Sequence, residues 1–264
     1  MMMTRDELLA LIDRAAAEGW TELDLSGQGL SELPEEIGQL TQLERLILGK
    51  GKKDKDGHQE WGDTFVNSQQ PWGPLTIGNK LADLPNWLAN LTNLRHLDLS
   101  GNFFTKIPDW VGQLSKLETL IAFTNQIKEI PDSLAKLTTL THLYLINNQI
   151  EEIPENLAEL TTLTRLYLSH NQIKEIPDSL AKLTTLTHLY LSSNQIEEIP
   201  DSLAELTTLI HLDLISNQIK EIPDSLAQLE RLTRLYLSHN QIKEIPDSLA
   251  QLERLTRLYL SHNK

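Results

Sequence analysis

From residue 94 onward the apolar positions follow one template. Leu94, Leu117, Leu140, Leu163, Leu186, Leu209, Leu232 and Leu255 each open the pattern L-x-x-L-x-L-x-x-N, with Ala122 for the third leucine after Leu117, and successive openings lie 23 residues apart. Leu43 stands 51 residues before Leu94, which is one period plus an insertion of 28, and Trp20 stands one period before Leu43. A fixed period of this length is the signature of stacked repeats in which each coil buries its apolar face only against its neighbours. Nine full repeats and a truncated tenth follow from the count.

Each column of the repeat predicts a local structure. In Leu163-Thr-Arg-Leu166-Tyr-Leu168 the alternation marks a short strand, with Leu166 and Leu168 on the buried face and Arg165 and Tyr167 on the other. The strands stack in parallel, one per coil. Asn171 follows in the turn, where its amide can satisfy backbone groups that no neighbouring strand reaches, and the column repeats at Asn102, Asn125, Asn148, Asn194, Asn217, Asn240 and Asn263. Ile173, Ile176, Leu180 and Leu183 complete the core, and Pro177 fixes the backbone at the start of an irregular or short helical return. Ahead of the first coil, Thr4 with Glu7 forms a capping box, Leu8, Leu9, Ile12, Ala15 and Ala16 keep helical spacing, and Gly19 can end the helix. Residues 1–19 are therefore read as a capping helix and 20–264 as the repeat array. At the far end the strand around Leu258 is expected to present an unpaired edge, which invites self-association.

These motifs resemble the leucine-rich repeat family. The resemblance implies an α/β solenoid shaped like a horseshoe, with parallel strands on the concave face, return segments on the convex side and a helical N-terminal cap. The stretch Trp20-Thr-Glu-Leu-Asp-Leu-Ser-Gly-Gln-Gly-Leu, then Leu33-Pro34-Glu-Glu-Ile-Gly, then the insertion after Leu46-Ile-Leu-Gly, is similar to the N-terminal repeat region of bacterial Roco proteins. In that family such a region precedes a Ras-like GTPase domain, sometimes with a kinase. The resemblance thus implies a cytoplasmic signalling or scaffolding module, with any catalytic domain outside these residues.

Composition narrows the chemistry. Lys and Arg number 23 against 37 Asp and Glu, a net charge of −14, which disfavours generic attraction to nucleic acid or an anionic membrane. No cysteine is present, so disulfides, thiolate metal sites and a cysteine nucleophile are excluded. Phosphate-loop, zinc-protease and nucleophile-elbow motifs are missing, and Asp54-Lys55-Asp56-Gly57 mimics only part of a calcium loop. No catalytic residue, metal or cofactor is expected. Lys128, Glu151, Lys174 and Glu197 alternate in sign at equivalent positions of successive coils, so opposite charges should meet along the return face.

The exposed strand face carries the candidate site. All five tyrosines, Tyr144, Tyr167, Tyr190, Tyr236 and Tyr259, fall in one column. Beside them run His96, His142, Arg165, His188, His211, Arg234 and Arg257, with His170, His239 and His262 just before the asparagines. Phe123, Ile121, Ile146 and Ile215 are expected as exposed apolar spots, while Asp98 and Asp213 interrupt the tyrosine column. Tyrosine, arginine and histidine with apolar anchors is the composition of recognition surfaces. The expected partner is a protein that offers anionic and apolar groups, bound more tightly as the imidazoles titrate near pH 6.5. His188, His211 and Asp213 could approach one another, but with no third histidine they do not make a zinc site. The insertion, residues 50–77, adds Trp61 and Trp72 as a second candidate contact beside that face.

Overall fold

A computed structural model describes residues 3–51 and 76–264. The chain is a pile of near-identical coils whose strands, β3 apart, form one parallel sheet. In chain order the strands are β1 (Glu22–Asp24), β2 (Arg45–Gly51), β3 (Thr76–Ile77), β4 (His96–Leu99), β5 (Thr119–Ile121), β6 (His142–Tyr144), β7 (Arg165–Tyr167), β8 (His188–Tyr190), β9 (His211–Asp213), β10 (Arg234–Tyr236) and β11 (Arg257–Tyr259). All but β3 are neighbours in sequence order, and the register places equivalent repeat positions side by side: Tyr144, Tyr167 and Tyr190 align across β6, β7 and β8. The 23-residue period is thus also the sheet register, so each sequence column becomes a column on the surface.

The interior is a single run of leucine and isoleucine extending from Leu8 to Leu252. Ala122 takes the place of the third leucine in its coil and is fully buried. Every described return segment contains a five-residue 3-10 helix introduced by a proline, as at Asp178–Lys182 behind Pro177 (φ −69°, ψ 144°). The proline angle is the one that ring closure dictates. The asparagine column closes the opposite corner. Nδ2 of Asn171 donates to Leu168 O at 3.0 Å and to Leu145 O in the preceding coil at 2.9 Å, and its Oδ1 accepts from Ile150 N at 3.0 Å. One side chain therefore satisfies three backbone groups that lie beyond the strand ladder. Asn79 does the same work after the insertion, donating to Leu25 O and Leu48 O.

The helix α1 (Arg5–Ala17) starts on the Thr4/Glu7 capping box and buries Leu8, Ile12 and Ala15 against the first coil. The insertion leaves and returns as a short antiparallel ribbon, Lys50 opposite Ile77 and Gly51 opposite Thr76. Its entry requires glycine: a Cβ at Gly49 would stand 1.6 Å from the Ser100 carbonyl oxygen. Trp61 and Trp72 lie outside the described residues.

The return face departs from the expected pairing. In the alternating column, Lys220 meets Glu197 at 2.5 Å, both more than half exposed, and among the described residues the other members do not form ion pairs. The adjoining column is of one sign throughout: Glu129, Glu152, Glu175, Glu198, Glu221 and Glu244. Charge alternation therefore dilutes an acidic face rather than building a ladder of salt bridges, and exposed pairs of this kind contribute little stability.

Candidate binding face

The site is the concave side of the sheet from β6 to β11. Strand alternation turns Tyr144, Tyr167, Tyr190, Tyr236 and Tyr259 to this side, and parallel register brings their rings together. Tyr144 and Tyr167 stack at a centroid distance of 4.5 Å, Tyr167 and Tyr190 at 4.4 Å, and Tyr236 and Tyr259 at 4.6 Å, with interplanar angles of 17°, 8° and 10°. The gap at Asp213 is filled from the neighbouring column: the His211 ring lies 4.5 Å from Tyr190 and 4.7 Å from Tyr236, edge-on to the latter. Six rings thus run without a break from β6 to β11.

Stacking changes what the face presents. Tyr167 and Tyr190 are each 5% exposed, Tyr236 1% and His211 0%, because each ring is covered by its neighbours. These residues are not part of the leucine core, yet they are not the open contact area that alternation alone implies. Phe123 and Ile121 are likewise buried, at 0% and 6%, so the expectation of exposed apolar spots fails there. The reason is that a strand's outer face is open only while its neighbours carry small side chains. Ile146 and Ile215 are half-buried, as are His142, Tyr144, His170, His188, Arg234 and Tyr259, while Arg165 and Arg257 are exposed.

The electrostatics also depart from a simple titrating cluster. Burial holds His96 down at about 4, helped by the Arg45 charge. Burial lowers His142, with the Arg165 charge adding to it, and lowers His170. Burial thus biases all three imidazoles toward the neutral form, against the expectation that they titrate near the ordinary imidazole value. The acids move the other way. Asp213 is 4% exposed and burial pushes it up to about 6, against hydrogen bonds from Ile215 N (3.1 Å) and Ser192. Asp98 is pushed up to about 7 by burial, despite accepting from Ser100 N and Oγ at 3.0 and 2.5 Å. Both aspartates were legible in the sequence only as interruptions: the same Leu-Asp-Leu setting leaves Asp24 exposed in β1, so the pattern alone does not foretell a buried carboxyl.

Seven residues just outside the strands hold left-handed backbone without being glycine, namely Thr124, Asn147, His170, Ser193, Ser216, His239 and His262, all at φ between 54° and 60°. Gly27 and Gly101 occupy the same turn with φ of 71° and 64°. The array thus carries polar side chains along one rim at positions where glycine would be less strained. Two of them, His239 and His262, stack at 4.2 Å. Among the described residues no group of three His, Asp or Glu side chains could hold a metal ion, and no helix is long and apolar enough to cross a membrane.

Comparison with known proteins places this geometry. A leucine rich repeat model matches residues 138–196, 161–219, 184–242 and 207–264, and a leucine-rich repeat region model matches residues 83–165. Together they cover more than half of the chain. The chain belongs to the leucine-rich repeat proteins. Among solved structures of such proteins, the ectodomain of the Arabidopsis thaliana membrane receptor kinase GASSHO1/SCHENGEN3, in complex with Casparian strip integrity factor 2, superposes with a TM-score of 0.76 at 29% identity, covering 96% of this chain and 28% of that one. A leucine-rich repeat protein of Leptospira interrogans gives 0.65 at 28% identity, covering 96% and 69%. The plant peptide hormone receptor RGFR1 in complex with RGF2 gives 0.72 at 26%, covering 96% and 42%. No curated protein sequence matches the chain. This leucine-rich repeat chain spans about a quarter of the receptor ectodomain it resembles, and its fold is one typical of protein-protein interaction modules, which are generally non-catalytic.

Proposed function

We propose that this leucine-rich repeat chain is a non-catalytic binding module that takes a protein partner on its concave face. The observation that carries the reading is charge segregation on a rigid surface. Within the strand and turn stretches between Leu140 and Asn263 the formally charged side chains are Arg165, Arg234, Arg257 and the buried Asp213, while the acidic columns lie on the return face. A concave wall that is locally cationic on a molecule of net charge −14 selects partners by local complementarity rather than by overall attraction. Two of the similar structures are receptors in complex with a bound factor, which supports a polypeptide ligand here.

The test is quantitative capture from source lysate with three forms of the chain: wild type, Arg165→Glu with Arg257→Glu, and a return-face control, Lys174→Glu with Lys182→Glu. All four positions are exposed, so the fold should persist. Partners lost with the concave form and kept with the control support the reading. Equal recovery with all three means that the concave face is idle.

A finer reading is that the module belongs to a larger Roco-type GTPase protein of the bacterial cytoplasm. The Trp20 to Leu30 stretch and the placement of the insertion after Gly49 support it. Reading the source gene beyond the codon for Lys264 tests it: a continuing frame with a phosphate loop supports it, and any other continuation, or none, refutes it.

A further inference from the structure

We propose that the ligand of the concave face is an extended acidic peptide laid across the strands, with one acidic side chain over Arg165 and a second about four residues along over Arg234 and Arg257. The proposal rests on the concave-face reading and adds the chemistry and spacing of what binds there.

Strand order supplies the spacing. Arg165 on β7 and Arg234 on β10 occupy the same repeat column three strands apart. Neighbouring strands lie about 4.8 Å apart, so the two columns are about 14 Å apart, and an extended chain advances about 3.4 Å per residue. Four residues span that distance. Arg257 is the register partner of Arg234 on β11, one strand further, so a carboxylate four or five positions from the first falls within reach of this pair.

Electrostatics agree with an anionic occupant at both ends. Arg165 is exposed, and its charge acts on the Tyr144 hydroxyl at one end of the ring row. Arg234 and Arg257 are register partners on adjacent strands, so two guanidinium-bearing side chains share this end of the face. A carboxylate engaged by guanidinium groups makes charge-assisted hydrogen bonds, the stronger class. His188 lies in the same column one strand beyond Arg165, where it offers a polar side chain to peptide N–H and C=O groups.

The ring row favours a chain over a flat ligand. Tyr167 is covered on one side by Tyr144 and on the other by Tyr190, and Tyr190 by Tyr167 and His211. Faces already stacked within the protein cannot sandwich a base or a sugar. With Tyr167 and Tyr190 5% exposed, Tyr236 1% and His211 0%, the rings themselves offer a ligand little area, and what it meets is the arginines and His188 around them.

The experiment is selection of a displayed library of short random peptides on the full chain, in parallel with Arg165→Gln, with Arg165→Gln/Arg234→Gln/Arg257→Gln, and with the corresponding triple lysine variant, each checked for an unchanged melting profile. The expected result is that Asp or Glu pairs four or five positions apart are enriched about tenfold over pairs at other separations, since one charge-assisted contact is worth about that factor. R165Q should reduce the enriched pool to singly acidic peptides, the triple glutamine variant should lose it, and the triple lysine variant should keep an acidic preference with relaxed spacing. Should the triple glutamine variant fail to fold, R165Q alone decides. Peptides enriched without an acidic pair, yet lost on concave substitution, overturn this proposal and leave the concave-face reading standing. Peptides indifferent to every concave substitution, or no enrichment at all, overturn the proposal, and indifference also counts against the reading it rests on.

Discussion

The Tyr190 hydroxyl lies 3.0 Å from Nδ1 of His211, and the two rings pack with centroids 4.5 Å apart. This pair bridges the one coil in which aspartate replaces tyrosine. Asp213 is too short to continue the ring row, and the imidazole from the adjacent column leans across to join Tyr190 to Tyr236, which leaves the Asp213 carboxyl buried. A single substitution in the repeat thus changes the conformation of its neighbour and the protonation of the acid itself.

The first prediction concerns that bridge. His211→Ala should remove a fully buried ring from between two tyrosines and cost about 2–4 kcal/mol in urea unfolding, in the range of large-to-small changes at packed sites. His211→Phe keeps a ring there but loses the hydrogen bond to Tyr190, so its cost should be smaller, about 1–2 kcal/mol. An alanine variant as stable as the wild type would show that the row of rings contributes no packing energy.

Acid-base linkage gives a second prediction with two opposing parts. Asp213 and Asp98 have folded values of about 6 and about 7, above the ordinary carboxylate value of 3.8, so their contribution to stability is fully present below pH 3.8 and is lost as pH rises through 6 and 7. His96 has a folded value of about 4, below 6.5, so its contribution is present above pH 6.5 and is lost as pH falls toward 4. Between pH 4 and 6.5 the imidazole opposes the two acids and offsets only part of their slope. Asp213→Asn removes one downward slope. Its melting temperature relative to wild type should therefore rise as pH goes from 5 to 7.5, and a pH-independent difference would mean that Asp213 titrates normally in the folded state.

The corner asparagines make a third. Asn171→Ala deletes two donated hydrogen bonds and one accepted from Ile150 N, at 2.9, 3.0 and 3.0 Å, leaving buried backbone groups unpaired at a cost of about 2–4 kcal/mol. The diagnostic is local. Hydrogen exchange at the Ile150 amide should accelerate more than at Ile219, whose amide is held by Asn240 three coils away. Equal acceleration at both would indicate global unfolding rather than loss of one corner.

How far the sequence revealed all this depends on whether a feature repeats. The strands, their register and, from Asn102 onward, the asparagine corners recur coil after coil, so the period alone placed Leu166, Tyr167 and Asn171 on the correct faces. The Thr4 and Glu7 cap was legible because it is local. Burial on the concave face was not, because it depends on what stands one coil away: Phe123 and Tyr190 have outward alternation yet are buried, Tyr190 between the rings of Tyr167 and His211. The lowered imidazoles follow from the same covering. Nor could a column reading foresee His211 crossing into the Asp213 gap, since it is a contact between columns.

The capping helix supplies the last prediction. In a stacked array each coil is supported mainly by its neighbours, so damage at one end should propagate only weakly along the axis. Leu8 and Ile12 are 3% and 2% exposed and lie on the helix face that covers the first coil, where Leu23, Leu25 and Ile37 are also buried. Leu8→Ala combined with Ile12→Ala should loosen α1 at a cost of about 2–4 kcal/mol per site and open the coil beneath it. The Leu25 amide, bonded to Ile47 O at 2.8 Å, should then exchange faster, while the Leu191 amide, bonded to Asp213 O at 2.8 Å, should keep its protection. Loss of protection at both amides in step would mean that the array unfolds as one unit and that α1 supports the whole of it. Unchanged exchange at Leu25 would mean that the first coil is stable without its cover.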